Sequence, residues 1–320
     1  MSHSAKLFDP LGLLSPCTVI PKLILQRLWL SKLDWDDPVD IELEREWLNF
    51  VSSLNSVSEL KIPRSVIIRK SETIQLHSFS DASQVAYAAA IYIVSYDNSG
   101  NVLVKLLCAK TKVAPVKTLT IPRLELCGAL LSARLTNKVL KSLRCKIDLV
   151  FHWTDSTIVL GWLASQSANL NTFIANRVSE IQQLTSVGVW RHIPGDMNPT
   201  NLASRGVNPK LLQSCRLWWE GPSFLTENPS QWPSPINTNT IHDLPEKKNK
   251  KLITTLQSIT HKITNTLEII QMERFSKFAI LQRSLAYALR FIHNTKNKHC
   301  KSTGPLKTNE LNRSLRILIK

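Results

Sequence analysis

Between residues 76 and 112 three apolar runs follow one another with almost no room for anything but turns, and this most restricts how the chain can fold. Leu76–Ser80 is short and apolar. Tyr87–Tyr96 is rich in β-branched and aromatic residues, and Asp97-Asn98-Ser99-Gly100 is a hairpin turn signal before the returning run Val102–Lys112. After these strands the period changes. Pro122 opens a helix that reaches about Leu143, since proline's missing N–H is harmless in a first turn. Ile147–Trp153 reads as a strand, Thr157–Ser165 and Phe173–Leu184 as helices, Val187–Ile193 as a strand, and Pro199–Ala203 as a helix start. The order β-β-β-α-β-α-α-β-α predicts an α/β fold: a mixed sheet flanked by crossover helices.

Around this segment the reading is helical. Ile24, Leu25, Leu28 and Trp29 are helically spaced, with Pro21 near a helix start, and the acidic stretch Asp34–Glu46 leads into a second helix around Trp47 and Leu48. Residues 222–251 hold five prolines, many Asn and Ser and a run of lysines from Lys247, which predicts a basic linker. Helical spacing returns over 252–320, through Leu285, Ala286, Leu289 and Ile292. The predicted domains are therefore 1–69, 70–221, 222–251 and 252–320.

Charge is uneven. Residues 1–60 hold 5 Lys/Arg against 9 Asp/Glu, whereas residues 240–320 hold 16 against 5, within a net charge of +16. A basic middle and tail suit a polyanion, because lysine and arginine displace counterions from phosphates. None of the six cysteines forms a Cys-x-x-Cys pair. With no signal peptide and no run of ~18 apolar residues, the expectation is an intracellular chain, cytoplasmic or nuclear, with free thiols and no membrane partner. His293, His299 and Cys300 lack a fourth ligand at zinc-finger spacing, so no zinc is expected.

Three acids stand where acids are costly. Asp81 ends the first strand, Glu125 is expected in the first turn of the long helix, and Asp155 ends the strand FHWT. A carboxylate among apolar residues loses hydration unless it is paired or binds a cation, and three together repel one another. Oxygen ligands of this kind favour magnesium or manganese. Taken singly, each has a plainer account: Asp155-Ser156-Thr157 could cap the following helix, and Glu125 could serve the helix dipole. His152 and His192 read as core or hydrogen-bonded residues. Trp153, Trp162, Trp190, Trp218 and Trp219 offer base-stacking surfaces, although Trp218-Trp219 is better placed to close a core.

The segments FDPLGLLSP, LDWDDP, FSDAS, AKTKVAPVKTLTIPRLEL, WTDSTIVLGWL, NRVSEI, WRHIPGDMNPTNLASRG and LWWEGP resemble the BEL/Pao-type retrotransposon polyprotein, in the region named Pao retrotransposon peptidase. The resemblance runs from about Phe8 to the end of the chain. It implies a connection segment ending a reverse transcriptase region, a ribonuclease H-like domain, and a tail ahead of an integrase module. It also implies metal-dependent hydrolysis of the RNA strand of an RNA–DNA hybrid. Asp81, Glu125 and Asp155 then become the metal ligands. Asn201 takes the place of the fourth, an aspartate in the family pattern, which implies impaired activity or a non-catalytic nucleic-acid-binding remnant. Asp196 reads as a solvated turn residue. Lys117, Arg123 and Arg205 are the expected nucleic-acid contacts. An aspartic peptidase, as the region's name suggests, needs Asp-Thr-Gly or Asp-Ser-Gly loops. The glycine is missing after both Asp81 and Asp155.

Overall fold

The computed structural model describes residues 7–34, 36–186, 188–236, 244–248, 275, 277–297 and 301–319. It divides into two compact units, residues 1–249 and 250–320. In the first unit five strands form one sheet: β1 (Thr73–Ala82), β2 (Ala86–Tyr96), β3 (Val102–Val113), β4 (Leu149–Thr154) and β5 (Val189–His192). The sheet order is β3-β2-β1-β4-β5. The first three strands are antiparallel neighbours, and β4 and β5 join in parallel. The order and type of the predicted elements hold. The hairpin turns at Asp97–Gly100, where Asp97 Oδ1 accepts the amides of Ser99 and Asn101. The sheet starts β1 earlier than its apolar run because Asp148 Oδ2 accepts the Ile74 amide at 2.9 Å and extends the pairing.

The helices of this unit are α1 (Ser15–Ser31), α2 (Ile41–Ser53), α3 (Ile121–Ser142), α4 (Thr157–Ala164), α5 (Thr172–Leu184), α6 (Thr200–Arg205), α7 (Pro209–Leu212) and α8 (Arg216–Glu220). Pro21 lies inside α1 rather than near its start. The helix begins a turn and a half earlier, with Pro16 in its first turn and both Asp9 carboxylate oxygens accepting the amides of Leu13 and Leu14. Gly12 makes that entry possible: its φ is +73°, and a Cβ there would fall 1.8 Å from the Ala109 carbonyl oxygen on β3.

The sheet is covered on both faces. On one, α3, α4 and α5 bury Leu126, Ala129, Ala133, Val159, Trp162, Ile174 and Val178. On the other, Phe79, Tyr92, Phe151 and Trp153 pack under Cys17, Leu212 and Trp218. Trp218 is buried and donates to the Leu13 carbonyl at 2.8 Å, so it closes the core as expected. Full burial of a side chain of this size contributes roughly 2–3 kcal/mol. His152 is likewise a core residue, stacked at 4.7 Å on Trp190, and burial pushes its pKa down to about 3.

The expected linker is a correction. Phe224, Leu225 and Trp232 are buried in the same core as Trp153. Further on, Leu244 packs over Gly161, Pro245 O accepts Trp162 Nε1 at 2.8 Å, and the Asn171 amide donates to Glu246 O at 2.9 Å. The prolines of this stretch break regular structure without preventing burial, because its few large apolar residues find pockets on the sheet and helices. Residues 237–243 and 249–251 of the predicted linker lie outside the described residues.

The second unit is described over α9 (Phe278–Lys296) and α10 (Thr308–Ile319). Arg290 pairs with Glu310 and donates to the Gly304 carbonyl at 2.6 Å, tying the two helices together. Of the helical tail, residues 252–274 lie outside the described residues, as do His299 and Cys300. Among the described residues no helix is long and apolar enough to cross a membrane.

Candidate active site

The sheet brings the first two acids together. Strands β1 and β4 are parallel neighbours with Ser80 opposite Thr154, so Asp81 and Asp155 leave the sheet side by side at the same end. The facing loops of a two-lobed β body, which the peptidase reading requires, are not what holds these two aspartates. Helix α3 brings the third. Gly128 lets it press onto the strand end, since a Cβ there would meet the Asp81 carbonyl oxygen at 2.9 Å. Glu125, one turn before Gly128, then faces the aspartates. It lies in the second turn of α3, because the helix begins at Ile121, so its position is set by the strand it faces rather than by the helix dipole.

Asp81, Glu125, Asp155 and Arg205 line one open recess of about 500 Å³, with Ser83 and Ile121 beside them. Burial raises the pKa of all three carboxyls, and their mutual repulsion adds to it for Glu125 and Asp155. Asp155 is pushed up to about 7 by desolvation first, then by the charges of Asp81 and Glu125. Arg205 opposes the effect at both aspartates.

Two hydroxyls hold the carboxylates. Ser204 on α6 donates to Asp81 Oδ2, and Ser156 donates to Glu125 Oε2 at 2.5 Å. Ser156 also caps α4 by accepting the Val159 amide at 3.2 Å, so within Asp155-Ser156-Thr157 the capping residue is Ser156. Asp155 Oδ1 is buried with no hydrogen-bond partner. Asn201 stands at the start of α6, its amide nitrogen donating to the Gly195 carbonyl and its Oδ1 buried without a partner. Gly195 is also the close neighbour of Asp155: a Cβ there would sit 3.5 Å from Asp155 Oδ2. The loop 195–201 is fixed from behind by Asn198, whose Nδ2 donates to Ser80 O at 3.0 Å.

Sequence reasoning missed Ser204, Asn198 and Gly195, and the bond from Ser156 to Glu125. All four residues lie in the segments WTDSTIV and WRHIPGDMNPTNLASRG, where attention to acids passed over hydroxyls and amides. The expected nucleic-acid contacts separate. Arg205 is exposed on the recess, and Lys117 is exposed on the loop before α3. Arg123 is withdrawn: its Nε donates to Glu246 Oε1 at 2.7 Å and its guanidinium lies 5.1 Å from the Phe173 ring. The recess does not extend to it.

The donor set suits a hard divalent cation in kind: three carboxylates, with a buried oxygen of Asp155 left unsatisfied. It is not a closed cage. Among the described residues no three His, Cys, Asp or Glu groups are already drawn close enough to clasp one ion. Ser204 and Ser156 each donate to one oxygen of Asp81 and Glu125.

Residues 1–156 match the family model for the Pao retrotransposon-like RNaseH-like domain. No curated protein matches the chain. Among solved structures, RNase H1 from the halophilic archaeon Halobacterium salinarum NRC-1 is 13% identical over 38% of this chain and 87% of its own, with a TM-score of 0.25. LC11-RNase H1 in complex with an RNA/DNA hybrid is 15% identical over 39% of this chain and 88% of its own, with a TM-score of 0.28. The foamy viral protease-reverse transcriptase in complex with dsDNA is 14% identical over 60% of this chain and 36% of its own, with a TM-score of 0.23. The matched residues 1–156 carry Asp81, Glu125 and Asp155.

Proposed function

We propose that the sheet domain is a retrotransposon ribonuclease H that cleaves the RNA strand of RNA–DNA hybrids with magnesium or manganese, at a rate reduced by Asn201. The observation that carries this reading is the convergence of Asp81, Asp155 and Glu125 on one solvent-open recess with Arg205 at its edge. Asp81, Glu125 and Asp155 would hold the cation, which would supply charge for the developing phosphorane and lower the pKa of a bound water. The chain's own residues do the rest. Ser204 and Ser156 aim two carboxylates into the recess. Arg205 would hold a non-bridging phosphate oxygen, and Lys117 would hold a phosphate further along the strand. The openness of the recess favours a polymer passing across it over a small enclosed substrate.

Asn201 supplies a neutral oxygen where a carboxylate would add a full charge. The amide favours a second reading, in which the domain holds a hybrid without turning it over. The experiment that separates them is hybrid cleavage in magnesium and in EDTA by the native chain, Asn201→Asp and Asp81→Ala. A rise on the order of tenfold to a hundredfold in Asn201→Asp is expected, with none left in Asp81→Ala. Cleavage that survives Asp81→Ala overturns the site. An Asn201→Asp chain no faster than the native one removes Asn201 as the cause of impairment.

A further inference from the structure

At the open edge of the sheet, α1, β3 and α3 enclose a groove of about 710 Å³ whose floor is apolar, from Leu11, Leu25 and Val139, and whose rim carries Lys22, Lys110 and Lys138. Among the described residues none of these lysines takes part in an ion pair. The carboxylate in the groove belongs to Asp9, and both its oxygens are occupied by the Leu13 and Leu14 amides, at 2.9 and 2.8 Å. Three cations therefore face one space that holds a single carboxylate. Burial lowers the pKa of Lys22; the charge of Asp9 opposes this, and repulsion from Lys110 adds to it.

We propose that this groove binds the phosphate backbone of a nucleic-acid strand that also crosses the carboxylate recess. This rests on the nuclease reading for its substrate and extends it to a second contact surface. The register supports continuity. Asp81 pairs with Ala88, and Ala88 with Thr111, the neighbour of Lys110. Two strand spacings put Lys110 roughly 10 Å from the Asp81 backbone. Lys138 lies 13 residues along α3 from Glu125, about 20 Å at 1.5 Å per residue. At about 3.4 Å of duplex axis per phosphate on one strand, those distances correspond to roughly three to six base pairs from the recess. Lysines on an edge strand have a simpler use, keeping other strands off. That accounts for Lys110. It gives no reason for Lys22 and Lys138, which two separate helices deliver to the same space.

The test is hybrid binding by the full chain in EDTA, read by fluorescence anisotropy over a series of salt concentrations. The groove variant is Lys22→Gln/Lys110→Gln/Lys138→Gln. The control is Lys61→Gln/Lys70→Gln/Lys210→Gln, three exposed lysines outside the groove. If each groove lysine neutralises one phosphate, the slope of log affinity against log salt falls by about 2 to 3 in the groove variant and less in the control. Equal slopes in the two variants overturn the proposal, as does a native chain that fails to bind the hybrid. The nuclease reading is scored separately, by cleavage in the Asn201→Asp form. A chain that cleaves while both triple variants bind alike keeps its activity and loses this groove.

Discussion

Replacing Asp155 by Asn should make the metal-free protein more stable at neutral pH, although it deletes a residue of the candidate site. In the folded state Asp155 titrates at about 7 against 3.8 ordinarily, because burial and the charges of Asp81 and Glu125 oppose its ionisation. The folded state therefore keeps a proton that the unfolded chain has lost. Between pH ~4 and ~7 the unfolded state binds fewer protons than the folded one, so stability falls as pH rises through that window. Above pH ~7 the whole cost is present, and below ~4 none of it is. A shift of about three units corresponds to about 4 kcal/mol at most, at 1.36 kcal/mol per unit. Asp155 is partly open to solvent, which screens the repulsion, and the cost is on the order of 1–2 kcal/mol. Asn keeps the shape and removes the charge. In EDTA at pH 7.5 the variant should melt roughly 3–6 °C above the native chain, and the gap should close as the pH approaches 4. Differential scanning fluorimetry across pH measures both. Adding magnesium should raise the native melting temperature more than that of the variant, because binding to the folded state alone stabilises it. A variant that melts below the native chain at pH 7.5 in EDTA would refute the claim that the site is under electrostatic strain without a cation.

Two further outcomes test other parts of the structure. Trp232→Ala, in the stretch with the composition of a linker, should cost about 3–5 kcal/mol in urea unfolding, because its ring meets His77, Phe151 and Trp153 at 5.0–5.8 Å between centroids; an effect near zero would return 222–236 to a linker. Ser204→Ala should raise the pKa of Asp81 further by removing the donor to its Oδ2, with an upward shift of its carboxyl titration by NMR, and an unchanged titration would mean that the hydroxyl does not hold it.

Most of the sheet was legible because strand burial leaves a direct trace in sequence. The Ala and Ile run of β2 is buried on both faces, and it reads as a continuous apolar strand. Asp81 and Asp155 were legible for the same reason: a charge at the end of such a run stands out. What sequence could not carry is which distant residue answers a buried charge. Ser204 is 123 residues from Asp81, and nothing in SRG announces a hydroxyl on a carboxylate. The pairing of Arg123 with Glu246 has the same character, since it depends on a chain segment returning 123 residues later. Pro21 misled because a proline is a good marker of a helix start only when no earlier cap is available, and Asp9 with Pro16 provides one. The stretch 222–236 misled because linker composition reports the polar majority, whereas three large side chains decide where the segment lies.

The geometry around Asn201 gives the substitution a physical sense that its sequence position lacks. Its amide nitrogen donates to the Gly195 carbonyl, in the loop that borders Asp155. A carboxylate has no hydrogen to donate, so an aspartate at 201 would turn an oxygen toward that carbonyl and add a fourth negative charge beside three carboxyls that already resist ionisation. Such an aspartate would need a proton or a cation to sit against that carbonyl in the loop as it stands. The amide removes that need, because it closes the loop by its own hydrogen bond and carries no charge. On the nuclease reading proposed above, the amide that would weaken a metal site also closes its loop by its own hydrogen bond, as the hydroxyls of Ser204 and Ser156 bond Asp81 and Glu125.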